Sequence, residues 1–160
     1  MIEVKNVVRW MGPVRFVEYE ETMNKIEKYL ENKETLPITL IITSEGGIIP
    51  VAYTFVKEVT IRKVPLNTVI VGRAESAAVA LALTGKIRAI EAEAHIFLHD
   101  LQFSEDENQE KKENMRNWYI TFLAKRSKLT KRRVENMMKE ETLLNAQQAK
   151  KYGFVDQIIN

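Results

Sequence analysis

Strand-like apolar runs alternate with helix-periodic segments along this 160-residue chain, and that alternation constrains its fold more than any other feature. Pro37 to Thr43, Leu66 to Val71 and Ala94 to His99 are rich in Val, Ile and Leu with little polar alternation, the pattern of strands buried on both faces. Helical periodicity fills the gaps, at Phe16, Tyr19, Met23, Ile26 and Leu30, again over Ile48 to Val59, and from Ser76 to Thr84-Gly85. Repeated strand-helix-strand units predict an α/β fold with a mostly parallel sheet, in which ligands collect at the carboxyl ends of strands. A short strand from Val7 to Met11 precedes the first helix.

Three chemistry-bearing groups fall at such ends. Gly46-Gly47 follow the second apolar run, Ser76 lies where the third run gives way to an alanine-rich helix, and His99 closes the fourth. A serine at a strand-to-helix turn can present its hydroxyl beside the free amide of the next residue, here Ala77, and a glycine turn can add a second amide from Gly47. Each group also has a plain structural explanation. Serine is a common helix N-cap, and paired glycines are common in tight turns. His95 and His99 are separated by roughly 13 Å along a strand, too far to share one metal ion.

The last third is more polar. Met115, Trp118, Tyr119, Phe122 and Leu123 form one stripe of a helix entered from the charged stretch 104–112. Another helix follows Thr130, with Lys131-Arg132-Arg133 on a solvated face balanced by Glu135, Glu140 and Glu141. A third begins at Asn145, where Gln148 completes a capping box and Gly153 supplies the stop, and the chain ends in a short strand within 154–159.

Composition narrows the function. The 24 basic and 22 acidic residues leave a net charge of +2, so no global field draws nucleic acid or an anionic membrane. Absence of cysteine removes disulfides, thiolate nucleophiles and cysteine-based zinc sites. No apolar run has the length of a signal core or membrane span, and the expected location is the cytoplasm.

Taken together, these residues resemble the ClpP family of self-compartmentalised serine peptidases, which have crotonase-like folds. The similarity runs from Val7 to Ile159: Gly12, the Gly46-Gly47 pair, Ser76, His99, Asn145-Ala146 and Tyr152-Gly153-Phe154-Val155-Asp156 fall on the family's landmarks. The resemblance implies a single domain over 1–160, a spiral of β-α units with a helical handle at about 102–130. It implies a peptidase with Ser76 as nucleophile, His99 as base and Glu141 at the place of the catalytic aspartate. The amides of Gly47 and Ala77 would form the oxyanion site, and Ile48 and Ile49 would line the substrate groove if they are not core residues. It implies no metal or organic cofactor, peptide or unfolded-protein substrates, and a homo-oligomeric ring, heptameric and able to stack in pairs through the helix bearing Trp118, Tyr119 and Phe122.

The sequence departs from the family in four places. Glu141 is one methylene longer than aspartate, Glu45 replaces the proline of the glycine turn, and the handle is shorter by about two helical turns. Only eleven residues precede Gly12, so hydrolysis is expected without an ATPase partner. Two alternatives stay open: a catalytically silent ring subunit, and a crotonase-like acyl-CoA enzyme whose paired amides would polarise a thioester.

Overall fold

A strand that serves two wings of one sheet organises the molecule. The computed structural model describes residues 2–32 and 37–160. Its elements in chain order are β1 (Val7–Met11), α1 (Phe16–Glu31), β2 (Ile38–Ser44), α2 (Ile49–Ile61), β3 (Leu66–Glu75), α3 (Ala77–Leu83), β4 (Arg88–Glu91) and β5 (His95–Leu98). They continue with α4 (Gln109–Arg126), α5 (Lys131–Lys139), β6 (Thr142–Asn145), α6 (Ala146–Lys151) and β7 (Gln157–Ile159).

Strands β1, β2, β3, β4 and β7 lie side by side in that order, all parallel. The first half of β3 pairs with β4 through Thr68 to Ile70, and its second half pairs with β5 through Arg73 to Glu75. Strand β6 then adds to β5 antiparallel. Strand β3 extends beyond the apolar run that ends at Val71 and continues to Glu75, with Gly72 at φ +70° inside it and a register shift against β2 between Ile42 and Ser44. The glycine makes a bulge that redirects the strand to a new partner. Strands β4 and β6 were not foreseen, because four-residue segments such as Arg88–Glu91 and Thr142–Asn145 carry too little periodicity to register.

The main core lies between this sheet and its helices. Trp10 from β1 meets Phe55 of α2 edge-on at 5.5 Å, and Ile26, Leu40, Ile42, Leu66 and Ile70 are fully buried around them. Each such side chain contributes about 1.5–3 kcal/mol. Every residue of α3 is buried, which explains its small side chains: a helix covered all round needs alanine to approach the strands closely. Phe16 does not join the buried face of α1, being 57% exposed; that face is Thr22, Met23 and Ile26. The caps read from sequence are present: Thr130 accepts from Arg133, Asn145 and Gln148 form the reciprocal box, and Gly153 takes φ +78°. Lys131, Arg132 and Arg133 are exposed.

Candidate active site

Ser76 joins β3 to α3 with φ +51° and ψ −124°. An ordinary N-cap serine has extended backbone and accepts an amide hydrogen of its helix; Ser76 does neither. A non-glycine residue held in such a conformation costs about 1–3 kcal/mol and persists only where its surroundings over-determine it. Those surroundings are on hand. Ser76 N–H donates to Phe97 O at 2.9 Å, and Ser76 O accepts both Val79 N–H at 3.0 Å and the hydroxyl of Tyr119 at 2.7 Å. The residue is buried, at 8% exposure.

The glycine turn packs directly on this elbow. A Cβ on Gly46 would lie 2.6 Å from Glu75 O and 2.9 Å from Ser76 Cβ, so only glycine lets the two segments touch. Gly47 pairs with Val14 in a parallel bridge in which Val14 supplies both hydrogen-bonding groups, donating to Gly46 O and accepting from Ile48 N, each at 2.8 Å. That leaves the amide of Gly47 on the side away from Val14. Among the described residues, neither the Gly47 nor the Ala77 N–H donates to a protein acceptor. Ile48 is 45% exposed beside the turn, whereas Ile49 belongs to the core at 5%; the groove expected along both side chains has surface only at Ile48. Glu45 is exposed and faces Arg73 at 3.6 Å.

His99 immediately follows β5, the strand paired with the end of β3. Its Nδ1 lies 2.7 Å from Asp100 O. A carbonyl oxygen only accepts, so Nδ1 carries the hydrogen and Nε2 of the neutral ring is left as a proton acceptor. Glu141 lies between α5 and β6 with φ +50°, exposed. The antiparallel ladder ends with Leu98 paired to Thr142, so His99 and Glu141 are the residues that adjoin this last pair on the two strands. The three candidate residues therefore share one edge of the sheet. Among the described residues no hydrogen bond joins Ser76 Oγ to His99 or His99 to Glu141.

Neighbouring charges are otherwise engaged. The Asp100 carboxylate takes Nε and Nη2 of Arg116 at 2.9 and 3.2 Å, which holds its carboxyl below the usual aspartate range. Arg116 in turn reaches Glu135 at 3.1 Å. His95 Nε2 contacts Glu75 at 2.9 Å, and Asp156 is held by Arg88 at 2.7 Å. Tyr119, expected on a partly exposed stripe with Trp118 and Phe122, is fully buried instead. Its hydroxyl finds Ser76 O in the interior, while Trp118 and Phe122 stack at 5.7 Å half-buried on the other flank of α4. Arg116 and Tyr119 were not singled out for the site from sequence. Their spacing, which puts both on one side of a helix, was the available signal.

A mostly parallel sheet with its helices, with a serine elbow and a glycine turn meeting at strand ends, is a mixed α/β architecture of the ClpP-like kind. The sequence matches the Clp protease family over residues 5–160, and the chain belongs to that family of peptidases. Comparison with curated proteins gives no match. Among the described residues no helix is long and apolar enough to cross a membrane.

Proposed function

We propose that the chain is a serine endopeptidase in which Ser76 attacks the peptide carbonyl and His99 acts as general base. His99 Nε2 takes the Ser76 hydroxyl proton as Oγ bonds to the carbonyl carbon. The carbonyl oxygen becomes an oxyanion, and the amides of Gly47 and Ala77 are the donors suited to hold it. The imidazolium then gives its proton to the leaving amine, and water repeats the sequence on the acyl-enzyme. Glu141, beside the end of the β5–β6 ladder that His99 follows, stabilises the imidazolium through its charge. No metal or organic cofactor enters these steps.

The observation that carries this reading is the Ser76 elbow itself: a buried serine kept at positive φ, uncommitted as a cap, beside two undonated amides. Family membership supports peptide substrates and ring assembly. We take the working particle to be a homo-oligomeric ring, heptameric and able to stack in pairs, that encloses unfolded chains, with the Trp118–Phe122 flank of α4 as a contact surface. Hydrolysis of a fluorogenic peptide by the wild-type chain, abolished in Ser76→Ala, tests the chemistry. Light scattering tests the particle, and a stable monomer at micromolar concentration rejects the chamber.

One observation favours a second reading, that of a silent ring subunit: Glu141 makes no hydrogen bond to His99, whose Nδ1 is held by a backbone carbonyl. Absence of peptide hydrolysis in a correctly assembled particle would support it.

A further inference from the structure

Arg116 and Tyr119 stand three positions apart on α4, so both project from one side of that helix. Tyr119 ends at Ser76, and Arg116 ends at Asp100, the residue next to His99. Tyr119 donates its hydroxyl to Ser76 O at 2.7 Å from full burial, and that burial pushes the hydroxyl's pKa far up, so it stays a neutral donor at any working pH. Arg116 forks onto both carboxylate oxygens of Asp100, at 2.9 and 3.2 Å, while Asp100 O takes His99 Nδ1–H at 2.7 Å. We propose that Arg116 and Tyr119 are positioning residues: one face of α4 sets the separation of nucleophile and base by gripping the chain at Ser76 and at Asp100. The inference rests on the Ser76–His99 reading above.

The physical need for such a grip differs at the two ends. At Ser76 the backbone is strained and relaxes unless its carbonyl is held; Val79 N–H supplies one bond and Tyr119 the other. At His99 the ring is oriented by a single carbonyl in a segment that has just left β5, so the direction of that carbonyl decides where Nε2 points. A bidentate guanidinium–carboxylate pair fixes direction as well as distance, which a point charge does not. A displacement of about 1 Å between reacting groups can cost about 10² in rate.

Tyr119→Phe keeps the buried ring and deletes only the hydroxyl. It is expected to lower kcat about tenfold with KM unchanged and the pH–rate profile unmoved. Arg116→Gln is expected to lower kcat similarly and also to move the acid limb of the profile to higher pH. The charged groups at this end of the sheet are Asp100 next to His99, Glu141 just before β6, and Arg116, Glu135 and Lys139 of α4 and α5, linked to Asp100 through Arg116. Removing the guanidinium leaves the Asp100 carboxylate uncompensated, which favours the imidazolium. Arg116→Lys, which keeps the charge without the fork, should restore the limb but not the plateau. The double variant should lose less than the product of the single losses, because both act on one spacing. Each variant is compared as the assembled particle, with fluorophosphonate labelling of Ser76 scored alongside. Labelled Ser76 with wild-type kinetics in both single variants overturns this proposal alone. An unlabelled wild-type Ser76 overturns the peptidase reading, and this inference with it.

Discussion

The two halves of the site are built from different material. On the nucleophile side, Gly46, Ser76 and Ala77 are buried, and their positions follow from backbone packing: a glycine with no room for a Cβ, a helix of small residues, and a backbone hydrogen bond from Ser76 to β5. On the base side, His99 and Asp100 are half-exposed and Glu141 is exposed, and the contacts there are side-chain ion pairs running through Arg116 to Glu135. Packing constraints are insensitive to salt and pH, whereas partly exposed ion pairs are screened and contribute at most about 1 kcal/mol each. The nucleophile is thus preset within the subunit, and the base is adjustable. Whatever grips α4 reaches both.

The comparison breaks first at the reacting groups. Ser76→Ala and His99→Ala should each reduce peptide hydrolysis by orders of magnitude while leaving the fold intact, as measured by turnover and circular dichroism; survival of turnover in either removes that residue from the mechanism. Gly47→Ala comes next. The added Cβ would lie 2.5 Å from Val14 O, displacing the turn and its amide, so kcat should fall by about 10²–10³. A comparable loss of activity without any change in thermal stability would mean that the bridge to Val14 yields easily and only the oxyanion donor was moved.

On the softer side, Glu141→Gln should lower turnover well beyond Glu140→Gln and preserve assembly. If Glu140→Gln or Asp156→Asn is the more damaging, Glu141 is not the acid that serves His99. The smallest effect is expected at His95. Its ring is engaged by the Glu75 carboxylate and not by a reacting group, so His95→Ala should leave kcat within about twofold and change stability by no more than about 1 kcal/mol. A large kinetic effect would blur the division between packed and polar halves.

Much of the packed half was legible in the sequence. Apolar runs located β1, β2, β3 and β5, and the glycine pair, Ser76 and His99 stood at strand ends because parallel sheets put loops there. What the sequence hid depends on geometry between distant segments. Strand β3 continues past Gly72 only because a bulge hands it to a second partner, which no local pattern reveals. Tyr119 and Trp118 are adjacent aromatic residues, yet one enters the core and the other lies on the flank, a choice made by the neighbours of α4. The Asp100 carboxylate goes to Arg116, but its carbonyl is the group that holds His99. Side-chain identity cannot announce a role played by the backbone.

The central claim is that Ser76 is a preset nucleophile, and covalent labelling measures it most directly. Wild-type chain exposed to a fluorophosphonate probe should carry the adduct on Ser76, identified by mass spectrometry, with labelling lost in Ser76→Ala and strongly slowed in His99→Ala. Labelling at another residue, or none in a correctly folded particle, would contradict the account.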